Sequence, residues 1–340
     1  MTLVEGRGFV LRKGKNMQKW RMAAWSFILI AAMVAGSAAQ AAEKVIYLLP
    51  APVFFPAFGP WTVAKQRGYY AAAGIDVDFE QAKGGADVAK QVGAGNAIVG
   101  GALGDTPIIV RANGVPVKSI ALMGGGGMME VGVLADSPIK TPADLKGKTI
   151  AVMAYQDTTY YALLGVLATA GLTKNDVNAQ AVGPTNIWKL VLAKQADAGA
   201  LVPDWIVDLQ SAGANLRIMP ATDYFPSMAQ AVLASDQVIK EKPELLKKLV
   251  AATLHGMKDI VDDPVGSAKD FAKVNPESAG QEAKIAEVFK LYVKYNYGGQ
   301  AVPGEMDAKR LAKLQDFYLQ QGIIEKASPV ADLYTNDLIR

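Results

Sequence analysis

The sequence predicts an α/β protein of two lobes with a helical carboxy-terminal region. Three observations carry the prediction. From Lys44 to about Met219, short apolar runs alternate with helical stretches, the rhythm of βαβ units. Several of those stretches end on a glycine, at Gly74, Gly114, Gly171 and Gly213, as helix C-termini tend to. After Met228 the rhythm stops and long amphipathic helices take over.

The elements follow in chain order. The apolar run 45–49 (VIYLL) is a strand, and a helix over 60–73 ends at Gly74. Residues 75–80 (IDVDFE) form the next strand, then a helix over 86–93 and a strand over 97–101. A helix over 106–112 stops before Gly114, and strands follow at 117–122, 131–135 and 149–154. Residues 158–170 are a helix ended by Gly171. A strand at 179–182, a helix at 187–194, a strand at 198–202, a helix at 205–212 and a strand at 216–219 complete the alternation. One more apolar run, 231–235, precedes helices over 243–262, 265–274, 281–295 and 307–321. Glycine- or proline-bearing transitions near Gly132 and Pro226 bracket a middle block, so the chain leaves one lobe, builds a second and returns. The expected division is residues 42–132 with 228–340 for lobe I and its carboxy-terminal helices, and 133–227 for lobe II.

The amino terminus reads as a signal peptide. Arg12, Lys13, Lys15, Lys19 and Arg21 precede an apolar core over 22–36, and Ala39-Gln40-Ala41 supplies a cleavage signal. Residues 1–41 are therefore expected to be removed, leaving a chain that starts at Ala42. The apolar core is shorter than the roughly 20 residues of a spanning helix. The segment before Ala42 also carries six of the 35 basic and one of the 32 acidic residues, which leaves 29 against 31, net −2. That balance gives no case for a nucleic-acid partner. With no cysteine there is no disulfide, thiolate metal site, cysteine nucleophile or lipid-modified cysteine, so the expectation is a free periplasmic protein.

Residues 54–80 (FFPAFGPWTVAKQRGYYAAAGIDVDFE) and 84–121 (GGADVAKQVGAGNAIVGGALGDTPIIVRANGVPVKSIA) resemble the opening of the periplasmic solute-binding proteins for nitrate, sulfonates, taurine and thiamine-pyrimidine precursors. The resemblance continues through 141–152 (TPADLKGKTIAV), 163–177 (LLGVLATAGLTKNDV) and 192–205 (LAKQADAGALVPDW). It implies the type II periplasmic-binding-protein fold: two α/β lobes joined by two crossovers, closing on one small molecule. It also implies a membrane permease and an ATPase of an ABC importer as partners, and no cofactor. A monomer is expected. The solute is left open, because relatives share the scaffold and differ in their cleft loops.

In open α/β sheets ligands lie beyond the carboxyl ends of the strands. In lobe I that criterion selects Pro52, Phe54, Phe55 and Phe58, then Gly84, Gly85 and Ala86, then Gly104, Asp105 and Thr106. In lobe II it selects the knot Tyr155, Gln156, Asp157, Thr158, Thr159 and Tyr160, and the loop Pro203, Asp204 and Trp205. The cleft loops of the resembled family fall at the same places. Thr158 and Thr159 match its hydroxyl-bearing ligand pair, and amides at that helix start suit an anion. Asp157 opposes the anion reading; it is either a helix N-cap or a ligand contact. Asp105 and Asp204 pose the same choice. Three carboxylates without Arg or Lys in those loops disfavour a bare sulfonate or nitrate, since no cation offsets the buried charge. The aromatic residues, Tyr161 excepted as core packing, favour a flat ring or an alkylammonium.

Two other features carry less. Gly124 to Gly127 (LMGGGGMME) lacks the Lys-Ser/Thr of a phosphate loop and reads as a flexible or closely packed turn beside the first crossover, with Met128 and Met129 lining the cleft or filling space. His255, the single histidine, lies on a helix remote from any nucleophile and reads as a surface or packing residue. No metal site is expected, as zinc needs more His or Cys than the chain has. The rival readings are a pyrimidine-synthesising enzyme on the same scaffold, disfavoured by the missing cysteine, and a ligand-sensing partner of a membrane receptor.

Overall fold

A computed structural model describes Thr2 and residues 41–339; the expected signal peptide lies, apart from Thr2 and Ala41, outside the described residues. Among the described residues, ten strands form two five-stranded sheets of matching plan. The first holds β1 (Glu43–Leu49), β2 (Ile75–Gln81), β3 (Val99–Leu103), β4 (Val117–Leu122) and β10 (Gln230–Ser235), in the order β2-β1-β3-β10-β4. The second holds β5 (Glu130–Leu134), β6 (Thr149–Val152), β7 (Asn178–Ala181), β8 (Ala198–Leu201) and β9 (Leu216–Pro220), in the order β7-β6-β8-β5-β9.

In each sheet the inner strands pair in parallel, as helical crossovers require, and one strand runs antiparallel in the fourth place. That strand is always the first after a crossing between lobes: β5 follows residues 123–129, and β10 follows residues 221–229. Gly132, expected at the first crossing, lies inside β5 instead. Helices cover both faces of the sheets, so strands such as Ala198–Leu201 and Gln230–Ser235 are buried throughout. Helix Pro243–Asp262 buries Leu246, Leu249, Val250, Thr253, Met257 and Ile260, one stripe at helical spacing, over helix Gly59–Gln66.

The structure differs from the predicted elements where local rules were outvoted. The helix expected over 60–73 breaks into Gly59–Gln66 and Tyr69–Ala72 around Gly68, whose φ of +76° needs glycine. The strand expected over 97–101 is shifted to Val99–Leu103. The helix expected over 281–295 ends at Tyr292 and passes into a π-turn, Val293–Tyr297.

That π-turn explains the glycine quartet. Gly125 N–H donates to the Gly298 carbonyl (2.6 Å), Gly126 N–H donates to the Asn296 carbonyl (3.1 Å), and the Asn296 amide donates to the Gly127 carbonyl. A Cβ at Gly124 would sit 1.9 Å from the Asn296 oxygen, and one at Gly126 would sit 1.7 Å from the Tyr295 oxygen. Backbone meets backbone here, and neither side can yield by rotating a side chain. The Gly126→Ala variant should therefore lose about 3 kcal/mol, read as a fall in the urea midpoint at unchanged slope.

Candidate ligand-binding cleft

A cavity of about 50 Å³ lies where the carboxyl ends of strands from both sheets face one another. Lobe I contributes Pro50, Ala51, Phe55, Ala57, Phe58, Ala102, Leu103 and Gln230. Met128 of the first crossover, and Met153, Asp157, Thr158, Thr159, Val202, Asp204 and Trp205, complete the wall. Among the described residues, no Lys, Arg or His lines it.

The Tyr155–Thr159 knot is a clamp between the lobes. Asp157 is the N-cap of helix Thr158–Thr169: its Oδ1 accepts from Thr159 N–H (3.0 Å) and from the Thr159 hydroxyl. Its Oδ2 reaches across and accepts from Gly85 N–H (3.3 Å), while the Gln156 carbonyl accepts from Ala86 N–H (2.9 Å). Gly84 makes the approach possible, because a Cβ there would sit 2.9 Å from the Asp157 backbone and its φ is +99°.

Asp204 forms a second clamp. It stands in the first turn of helix Pro203–Ser211, whose N-cap position is Val202, so it does not cap its own helix. Its Oδ1 accepts from Ala57 N–H (2.9 Å) and its Oδ2 from the Tyr292 hydroxyl (2.8 Å), both in lobe I. Burial pushes its carboxyl up to about 6, against the pull of those donors. Asp157 is raised as well, by burial, with the Thr159 bonds opposing. The cavity wall thus carries two carboxyl groups at their desolvation cost and no cation.

The remaining expected residues divide by position. Phe55, Phe58, Asp157, Thr158, Thr159, Asp204 and Trp205 line the cavity; Gly84, Gly85 and Gln156 shape the clamp behind it. Phe54 packs on Phe55 (4.9 Å between centroids) and faces a neighbouring chamber. Tyr155 is 48% exposed, donates its hydroxyl to the Ala179 carbonyl and meets Tyr160 edge-on, outside the cavity. Asp105 and Thr106 are buried away from it: Asp105 Oδ2 accepts from the Tyr318 hydroxyl (2.6 Å), without capping its helix, and burial raises its carboxyl to about 6.

Sequence reasoning missed Gln230, Met153 and Val202 in the wall and Tyr292 behind it. Gln230 had a signal, a polar residue opening an otherwise apolar strand, but it comes from the returning chain, far from the cleft loops in sequence. Trp205 is buried, and its indole N–H has no hydrogen-bond partner among the described residues. His255 stacks flat on Tyr69 at 4.1 Å on the helix surface. Among the described residues no His, Cys, Asp and Glu cluster suits a metal, and no helix is long and apolar enough to cross a membrane.

Comparisons with known proteins match this geometry. The chain is 24% identical over 289 residues to the riboflavin-binding protein RibY of Chloroflexus aurantiacus, covering 83% of this chain and 82% of that one. It is 26% identical to a 4-amino-5-hydroxymethyl-2-methylpyrimidine phosphate synthase of Uromyces fabae, over 69% of this chain and 72% of the relative. The alkanesulfonate-binding protein SsuA of Xanthomonas axonopodis pv. citri, solved with MOPS, superposes with a TM-score of 0.68 at 20% identity, covering 87% and 99% of the two chains. The two sheets with their paired crossings are the periplasmic-binding-protein fold. The profile described as NMT1/THI5 like matches residues 55–267, most of the first lobe and all of the second, and with the whole clamped cavity formed inside this fold the chain belongs to the NMT1/THI5-like family.

Proposed function

We propose that this chain is the solute-binding component of an ABC importer. It is exported by its signal peptide, works as a periplasmic monomer, and closes its lobes on a small nitrogen-bearing heteroaromatic solute for delivery to a membrane permease and its ATPase. The observation that carries the solute class is the wall itself: two buried carboxyl groups and no cation among Phe, Met and Trp side chains. A sulfonate or nitrate placed there would face like charge without compensation. A ring bearing amino or N–H groups donates to the carboxylates while its faces stack on aromatic and thioether surfaces. Gln230 and the Trp205 N–H add polar groups that fix its orientation. At about 50 Å³ the cavity has room for a few water-sized groups, so a ring enters only with the lobes further apart, in a hinge motion. The likeness to a named pyrimidine phosphate synthase supports a second reading, an enzyme acting on the same kind of ring.

The test is thermal unfolding of refolded protein against a panel of 4-aminopyrimidines, lumichrome, riboflavin, taurine, alkanesulfonates and nitrate. A solute at a hundredfold excess over its Kd stabilises the folded state by about 2.7 kcal/mol. Heterocycles are expected to raise the transition and sulfonates to leave it in place. Asp157→Asn keeps an N-cap but loses the charge and the acceptor for Gly85 N–H, so it should weaken heterocycle binding about tenfold and also lower the solute-free transition, by about 1 to 3 kcal/mol. Stabilisation by sulfonates or nitrate instead would refute the solute class.

A further inference from the structure

Beside the cavity lies a second chamber, of about 170 Å³, that shares two wall residues with it, Phe55 and Asp204. Lobe II forms one side through Asp204 and Asp208. Lobe I forms the other through residues 54–56 and the carboxy-terminal segment from Glu277 to Val288. The chamber therefore adjoins the first cavity across Phe55 and Asp204, and it is the larger of the two.

Its chemistry is mixed. Phe54, Phe55 and Ile285 are among its apolar lining residues, and Glu277, Ser278 and Gln281 are among its polar ones. Ser278 is 5% exposed, and its hydroxyl makes no hydrogen bond to the described residues. Gln281 uses its amide N–H on the Glu277 backbone carbonyl (2.8 Å), which leaves its side-chain carbonyl open. Lys284, the chamber's one cation, is held by Asp208. The Glu277 carboxylate has no such partner among the described residues. The wall thus has acceptors in excess, and its cation, Lys284, is already paired with Asp208.

Resting on the heteroaromatic reading of the main cavity, we propose that this chamber is a subsite for a hydroxyl-bearing chain carried by the same solute. Such a chain donates its hydroxyl protons to Glu277 and Gln281, exchanges a hydrogen bond with Ser278, and lays its carbon backbone along Phe54 and Phe55. An anionic substituent would meet Glu277 and Asp204 with Lys284 already neutralised. A bare alkyl chain would cover Ser278 and Glu277 without hydrogen bonds.

The test compares riboflavin with lumichrome, the same ring system with and without a hydroxylated chain, by fluorescence titration of the purified protein at pH 7.5. Riboflavin is expected to bind at least about tenfold tighter, as two to three added hydrogen bonds allow. The paired change Ser278→Ala with Gln281→Leu, on the outer side of the chamber, should abolish that advantage and leave lumichrome affinity unchanged. Equal affinities in the wild type, or a riboflavin advantage that survives the paired change, overturns the subsite while lumichrome binding still upholds the ring-binding cavity. Binding of sulfonates with neither flavin bound overturns both.

Discussion

Replacing Arg310 with methionine is expected to remove about 4 kcal/mol of stability, the equivalent of roughly 6 °C in the thermal transition of a chain this size. Arg310 lies in helix Ala308–Gln320, and its guanidinium reaches both crossings between the lobes. One nitrogen donates to the Gly125 carbonyl (2.5 Å) in the first crossing; the others donate to the Pro226 carbonyl (3.4 Å) and the Ser227 carbonyl in the second. Three backbone acceptors lose a charged donor at once in this part-buried site, each worth about 1 to 3 kcal/mol when left unpaired. Arg310→Lys keeps the charge but not the planar fork, so it should recover only part of the loss. Urea denaturation of the three proteins checks this. Equal midpoints for wild type and Arg310→Met would show that water replaces the guanidinium without cost. Because the same fork joins both crossings, the methionine variant should also close less sharply on its solute, seen as weaker binding with an unaltered cavity.

Changing Glu130 to glutamine is expected to alter the pH profile of stability more than any other single change. Glu130 opens β5, is 6% exposed, and its Oε2 has no hydrogen-bond partner among the described residues. Burial, and then the nearby charge of Asp223, push its carboxyl up to about 8. The folded protein therefore holds this proton over a range where the unfolded chain, with an ordinary carboxyl near 4.5, has released it. The folded state binds more protons, so stability falls as pH rises from about 4.5 through 8 and is level beyond. Asp105 and Asp204, each raised to about 6, add to the fall only at its acid end. From pH 6 to 9 the wild type should thus lose about 3 kcal/mol that Glu130→Gln keeps, and the variant should be the more stable protein at pH 9. Urea midpoints across that range decide it: parallel profiles for the two proteins would place Glu130 in contact with solvent when folded.

The candidate site was legible where chemistry and position coincide within a short stretch. Loops following strands, with an Asp just ahead of Thr-Thr or a Pro-Asp-Trp run, announce strand-to-helix turns, and such turns surround a cleft in this class of fold. Phe55, Phe58, Asp157, Thr158, Thr159, Asp204 and Trp205 were reached that way. The direction of each carboxylate was not legible. Asp105 looks like Asp157 in sequence, yet Tyr318, 213 residues away, holds it outside the cavity. Asp204 looks like a cap, and its partners Ala57 and Tyr292 are 147 and 88 residues away. Gln230 joins the wall only because the chain crosses back between lobes before β10.

By itself the sequence determined the α/β class, the alternation of elements and the loops that meet at the cleft, since those follow from apolar periodicity and turn residues read over a few neighbours. Only the tertiary structure decided which of three similar aspartates clamp the lobes. The same holds for why four glycines stand together at the first crossing, and for how one arginine ties both crossings. Each depends on a partner brought close by packing, and a hydrogen bond or a 1.9 Å clash is set by distances in space that spacing along the chain does not encode.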